Sequence, residues 1–302
     1  MSIPRISLQP ASIATLTWFK ALGFACVLLA LGTSTSEAGL VAFWDFESDS
    51  TTSGGIHDQS GSGHDGSAKT AGSGTVAFGS NVPAEIAPRS TTSLDLTGNT
   101  AGSMTNVGWV EIDSPDYTGV LGSGPRTVSL WVNMTSTADQ GILQWGAPTP
   151  GNLWSLRVDQ IGTVGAVQAE VHSGWMRGST NLADGQWHHL AVVLPDAAGV
   201  DITDALIYVD GSLEAITLSD PQAVNTTAGF NVLIGYEDAF NKGALQGRFD
   251  EVAIFDAALD ADAIALLAGG ISPLELPEPS ALLMLATGLF AVFLQRRRRR
   301  GV

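Results

Sequence analysis

The sequence predicts an all-β fold of two packed antiparallel sheets, and three observations support this. Glycine is abundant, at 35 of 302 residues, whereas Asp, Glu, Lys and Arg together make up only 15%. Apolar residues reach 44% of the chain, enough to build a core. They occur in short runs separated by clusters of Gly, Asp, Asn, Ser and Pro. This pattern is typical of a β sandwich or jelly roll.

Five segments have the composition of strands. They are residues 40–46, 127–134, 187–194, 205–209 and 249–255. In the second segment Val128, Leu130 and Val132 fall on one face, because successive strand residues point to opposite sides. Asp210 and Gly211 directly follow the fourth segment and predict a tight hairpin turn.

One helix is predicted, over residues 260–267. Asp260 is suited to cap its first turn, and Gly269 with Gly270 is suited to end it. Neither an internal repeat nor a linker divides the stretch 39–272, so we expect a single domain there.

The charge is unevenly distributed along the chain. The full chain has a net charge of −16, but seven of its 14 basic residues are Arg5, Lys20 and residues 296–300. Residues 39–271 contain 27 acidic and 7 basic residues, a net charge of −20. Such a surface repels nucleic acid and anionic lipid. It favours cations, neutral sugars or solubility in salt.

The first 38 residues have the features of a secretory signal peptide. Arg5 and Lys20 provide the basic region, and residues 21–31 provide the apolar region. A small-x-small site ends at Ala38, so we expect cleavage after this residue. An uncleaved anchor is the alternative. Cys26, the single cysteine, lies inside this segment, so an intramolecular disulfide is excluded.

The C-terminal segment 273–302 has three parts in a fixed order. Pro277, Glu278 and Pro279 come first, then an apolar helix over 281–294, then five arginines. At about 1.5 Å per residue the helix is short for a roughly 30 Å hydrocarbon core. The arginines should stay cytoplasmic, with membrane contact through 281–300 and the body facing outward.

This order resembles the PEP-CTERM sorting signal of bacteria with exosortase systems. The resemblance implies docking at the inner membrane and cleavage near residues 277–279 by a sorting peptidase. The product would reach the cell surface or the extracellular space. A permanent C-terminal anchor is the alternative.

The body resembles the LamG-like jelly roll of the concanavalin A-like lectin and glucanase superfamily. Its opening strand ends in WDFE at 44–47, and residues 58–66 read DQSGSGHDG. The most telling segments are DGQWHH at 184–189 and GRFDEV at 247–252. The resemblance spans nearly all of 40–268 and implies two packed antiparallel sheets.

A structural calcium site is one prediction from this resemblance. Ca²⁺ takes six to eight oxygen ligands, and the glycines of the loop at 58–66 would let backbone carbonyls approach one point. We predict that Glu47, Asp58 and Asp250 contribute, with Ser60 and His64 as additional candidates. The alternative is a solvated turn near two cross-strand acids.

Ligand binding is a second prediction. Trp145, Trp154 and Trp175 occur in glycine-rich surroundings, and aromatic faces stack on sugar rings. We expect them to line a site for a glycan or a matrix polymer. The alternative is that they fill the core.

Catalysis is not expected. Glu111, Asp113 and Asp116 resemble the E-x-D-x-x-E strand of laminarinase-type glycosidases, but the last acid is short and Pro115 interrupts the strand. The second histidine of the pair His188-His189 shares a strand face with apolar residues, which favours a core position. We therefore expect a non-enzymatic carbohydrate-binding module, with a purely structural matrix protein and a glycoside hydrolase as alternatives.

Overall fold

The computed structural model describes residues 39–112 and 119–276, and these form two antiparallel sheets with one short helix. Its strands, numbered in chain order, are β1 Leu40–Trp44, β2 Gly66–Ala71, β3 Ala77–Gly79, β4 Ser93–Asp95, β5 Val107–Ile112, β6 Arg126–Met134, β7 Gln140–Gly146, β8 Leu153–Asp159, β9 Ala166–Glu170, β10 Trp175–Arg177, β11 Trp187–Leu194, β12 Leu206–Val209, β13 Ser212–Leu213, β14 Leu218–Asp220, β15 Phe230–Ile234, β16 Tyr236–Glu237, β17 Gly243–Ala244 and β18 Gly247–Phe255. The helices are α1 Ala261–Ala268 and two 3-10 turns, Ile202–Asp204 and Pro273–Glu275. The predicted all-β class is confirmed.

Each large sheet has eight strands. The first has the order β13-β12-β11-β6-β18-β4-β3, with β1 also paired to β18. The second has the order β14-β10-β9-β8-β7-β15-β5-β2. Strands β16 and β17 form a separate two-stranded hairpin directly after β15. Non-consecutive neighbours within each sheet show that the chain crosses between the sheets repeatedly.

The main core lies between the sheets. Val128, Leu130 and Val132 of β6 are fully buried in it, as their alternation predicts. The other face of the first sheet is covered by α1, through Ile264 and Leu267. The helix begins where predicted, because the Asp260 carboxylate accepts a hydrogen bond from the Ala263 amide.

The predicted hairpin joins β12 and β13. Asp210 and Gly211 have φ values of +50° and +76°. Two consecutive left-handed residues are the geometry that a two-residue hairpin loop requires, and the Asp-Gly pair tolerates it.

Candidate functional site

The candidate site lies on the outer face of the second sheet. In β5, Val110 and Ile112 point into the core, so Trp109 and Glu111 point outward. In β15 the core residues are Val232 and Ile234. Register pairs Leu233 of that strand with Glu111 of β5. Two neighbouring strands thus carry aromatic, acidic and apolar side chains on one exposed surface.

A pocket of about 220 Å³ opens on this surface. Its lining residues come from β5, β15 and the start of the β16–β17 hairpin: Trp109, Glu111, Gly229, Phe230, Asn231, Leu233, Tyr236 and Asp238. The rings of Trp109 and Tyr236 stack with centroids 5.1 Å apart and planes 28° apart. The stacked pair forms one wall of the pocket, in which half-buried Trp109 is more accessible than Tyr236, which is 8% exposed.

The polar groups of the pocket are acceptors held in place. Asn231 donates from Nδ2 to Glu111 Oε1 at 3.0 Å, and the Trp109 indole lies 3.4 Å from Glu111 Oε2. Burial, with the nearby charges of Asp238 and Glu237, raises the pKa of the Tyr236 phenol. The phenol therefore stays neutral, and its hydroxyl donates to Met104 Sδ at 3.8 Å. Apolar ring faces beside fixed acceptors can hold a hydroxylated ring.

A buried polar row continues from this pocket across β7 to β10. Arg157 donates from Nε to Glu170 Oε2 at 3.0 Å and also bonds Asp159. The Arg177 guanidinium lies 4.0 Å from the centroid of the Trp175 ring and donates to Asp159 at 3.2 Å. These charges neutralise one another on the sheet surface.

Four buried polar atoms in this row have no hydrogen-bond partner among the described residues. They belong to successive strands and are Gln144 Nε2, Ser155 Oγ, Gln168 Oε1 and Arg177 Nε. Buried polar groups usually find partners, so these four atoms are unusual, but each is shielded from solvent and therefore from a ligand on the surface. The sequence analysis missed this row, as it missed Trp109, Asn231 and Tyr236. The alternation of Trp109 and Glu111 with Val110 and Ile112 was the available signal.

Two of the three predicted ligand-binding tryptophans lie in the core. Trp145 and Trp154 are fully buried and stack with centroids 6.0 Å apart. The Trp145 indole donates to the Val120 carbonyl at 3.0 Å, and the Arg126 guanidinium covers Trp154. They cannot present a ring to a sugar, because alternation in β7 and β8 points them inward. Trp175 is half-buried on the outer face.

The predicted calcium ligands fall into two groups. Asp58 accepts hydrogen bonds from the Phe43, Ser60 and His64 amides and from the Ser60 hydroxyl, at 2.9 to 3.0 Å. It therefore joins the loop at 58–66 to β1 with its own hydrogen bonds. Within residues 39–112 and 119–276 no three His, Cys, Asp or Glu side chains are arranged to hold a metal ion.

Glu47 and Asp250 meet at one hydroxyl. Ser90 Oγ lies 2.9 Å from Glu47 Oε1 and 3.1 Å from Asp250 Oδ2. Burial, with the charge of neighbouring Glu251, raises the pKa of Asp250 to about 8. Asp250 precedes Glu251, whose φ of +51° marks a bulge in β18. Two carboxylates supply fewer oxygens than calcium needs, so calcium stays a prediction from the resemblance.

The glycosidase alternative rests on residues that the structure describes only in part. Glu111 is on the outer face with its carboxylate bonded to Asn231. Asp113 and Asp116 lie outside the described residues, as do the signal-peptide site at Ala38 and the sorting segment 277–302. His189 has the predicted core position, 1% exposed, with Nε2 2.9 Å from Ser129 Oγ.

The fold and this surface define a lectin-like β sandwich. Residues 105–265 match the concanavalin A-like lectin/glucanases superfamily, and the chain belongs to that superfamily. Residues 275–300 match the PEP-CTERM protein-sorting motif. The motif indicates export and sorting by an exosortase to the cell surface. No curated protein sequence matches the chain.

Solved structures share the fold at low sequence identity. Domain 4 of AbnA, a GH43 extracellular arabinanase from Geobacillus stearothermophilus solved in complex with arabinotriose, is 21% identical with a TM-score of 0.51; the match covers 77% of this chain and 100% of that one. The binding domain of Paraclostridial Mosquitocidal Protein 1 is 13% identical with a TM-score of 0.49, covering 77% and 52%. The botulinum neurotoxin serotype D binding domain is 11% identical with a TM-score of 0.45, covering 78% and 51%. This chain thus spans about half the length of the toxin domains.

Both matched regions fit an exported binding module. Helices that could cross a membrane, by length and hydropathy, are not found within the described ranges.

Proposed function

We propose that this chain is a non-enzymatic module that is displayed at the cell surface or released, and that binds carbohydrate on the outer face of its second sheet. The pocket formed by Trp109, Glu111, Asn231 and Tyr236 carries the proposal. It combines a stacked aromatic wall with fixed acceptors, the two features that hold a sugar ring.

The size of the pocket supports the binding of one sugar unit. A volume of about 220 Å³ accommodates one sugar ring rather than a large ligand. The sandwich solved with arabinotriose makes a glycan the first ligand class to test.

A glycan array followed by calorimetry on the full chain tests the proposal. Trp109→Ala should weaken binding of an array hit by about 5- to 30-fold, since one stacking ring contributes about 1 to 2 kcal/mol. The matched control is Trp187→Ala, a half-buried tryptophan on the first sheet. Equal losses in both variants, or no hit on the array, would reject the proposal. The purely structural matrix role would then be the better hypothesis.

A glycoside hydrolase remains the second candidate, because Glu111 faces the same pocket. Incubation of the full chain with laminarin and related glucans tests it. We expect intact polymer. Glucan cleavage that Glu111→Gln abolishes would overturn the non-enzymatic assignment.

A further inference from the structure

The pocket on β5 and β15 has a marked electrostatic asymmetry. Among the described residues, its lining includes Glu111 and Asp238 and no lysine, arginine or histidine. The other polar contributors, Asn231 and Tyr236, are neutral. An apolar lining would suit any sugar face. The two acids are therefore the groups that can determine which sugar the pocket prefers.

Neither carboxylate takes part in the ion pairs assigned between described residues. Among the described residues, Asn231 and Trp109 donate hydrogen bonds to Glu111, and both are neutral. None of the described residues donates a side-chain or backbone hydrogen bond to the Asp238 carboxylate. Lys242, four positions after Asp238, is paired with Asp139 at 2.8 Å.

Lys69 is a further cation on this sheet face. It lies opposite Trp109 in the β2–β5 register, on the same sheet face, but it is not among the residues that line the pocket. It has an interaction of its own.

The aromatic groups reinforce the same preference. The π faces of tryptophan, tyrosine and phenylalanine carry negative electrostatic potential and attract cations within about 6 Å. Trp109, Phe230 and Tyr236 surround a volume that also faces two carboxylates. A neutral sugar would use the rings but leave the acids unpaired, and an acidic sugar would be repelled. A ligand with an ammonium group would satisfy both.

We infer that the pocket selects amino sugars with a free, protonated amine, as in a deacetylated amino-sugar polymer. The inference rests on the proposed carbohydrate-binding function and narrows its ligand class. The amine would lie between Glu111 and Asp238, and the pyranose ring would pack on the Trp109–Tyr236 wall. An N-acetyl group at the same position would remove the charge and add bulk.

Calorimetry with three matched oligomers tests the inference on the full chain. The oligomers are fully deacetylated glucosamine, fully N-acetylated glucosamine and glucose, at about pH 5.5, below the range in which amines lose their proton. We expect the deacetylated oligomer to bind about tenfold or more tightly than the other two. The preference should weaken in high salt, because screening reduces charge attraction at an exposed site.

Two variants test whether the charge of Glu111, rather than a change in the fold, determines the affinity. Glu111→Gln keeps an oxygen for the Asn231 amide, so the pocket should persist, yet affinity for the deacetylated oligomer should fall about tenfold, or about 1.4 kcal/mol. Its affinity for neutral oligomers should fall by much less, because they carry no charge for the carboxylate to attract. Glu85→Gln, at an exposed acid outside the pocket, is the matched control and should leave all affinities unchanged.

The outcomes distinguish the two proposals. Equal binding of all three oligomers, or a preference for the acetylated one, overturns the amino-sugar inference and leaves the carbohydrate-binding function standing. Absence of binding to any oligomer and to every glycan on the array overturns both. A deacetylated preference that Glu111→Gln does not reduce assigns the amine to another part of the surface and also overturns the inference.

Discussion

Replacing Asp250 with asparagine should make the stability of the chain less dependent on pH. Burial and the charge of Glu251 raise the pKa of Asp250 to about 8, from an ordinary value of 3.8. Ser90 explains how the protonated form is accommodated, since its hydroxyl faces both Glu47 and Asp250 but has only one proton to donate. A protonated Asp250 can donate to Ser90, which then donates to Glu47.

The sign of the effect follows from proton linkage. Between about pH 4 and pH 8 the folded chain holds a proton on Asp250 that the unfolded chain has lost. Stability contributed by this group therefore falls as pH rises through that range and levels off above pH 8. A pKa of about 8 in the folded state gives a fall of about 4 kcal/mol between pH 5 and pH 9, at about 1.4 kcal/mol per pKa unit.

Urea unfolding of the parent and of Asp250→Asn, each from pH 5 to pH 9 with chelator present, measures this fall. The asparagine amide can donate to Ser90 as the protonated acid does, so the variant should approach the parent at pH 5 and exceed it at pH 9. Asp256→Asn, at an exposed acid at the end of the same strand, is the matched control. An unchanged pH slope in Asp250→Asn would refute the reasoning.

Four further predictions concern other parts of the chain. Asp58→Ala should lower the free energy of unfolding in urea by about 3 kcal/mol, because four donors lose their acceptor. A decrease below about 1 kcal/mol would contradict that role. The calcium prediction expects chelation to lower the melting temperature, through the carboxylates at Ser90, and an unchanged temperature would reject it. Arg126→Met should lower the free energy of unfolding, measured by calorimetry, by about 3 kcal/mol or more, because the Arg126 guanidinium donates hydrogen bonds to three backbone carbonyls. Near-parental stability would be inconsistent with this. Mass spectrometry of the native protein should place its first residue at Gly39 and its last near 277–279, and two intact ends would contradict sorting.

The alternation within single strands predicted more than the motifs did. It oriented β6 correctly, and the same reasoning applied to β5 would have placed Trp109 and Glu111 on the outer face. Glycine-rich surroundings instead led to the prediction that Trp145 and Trp154 bind a ligand. Their strands β7 and β8 pair so that both rings face inward. Composition does not predict which side of a sheet a ring will occupy.

Long-range contacts account for the rest of the site. Tyr236 reaches Trp109 because β15 pairs with β5, although a large part of the chain separates the two residues. Glu47 and Asp250 meet at Ser90 because β1 and β18 are neighbours, whereas Asp58 is turned toward β1 by its own hydrogen bonds. Sequence spacing cannot reveal which distant acids share a hydroxyl.

The sequence by itself determined the all-β class, the hairpin at Asp210, the capped helix after Asp260 and the sorting motif near the C-terminus. Each depends on neighbouring residues, whose spacing and backbone preferences are local properties. Only the tertiary structure decided which aromatic rings are exposed and which carboxylates lie together. These depend on strand order and register, which are set by the packing of the whole core.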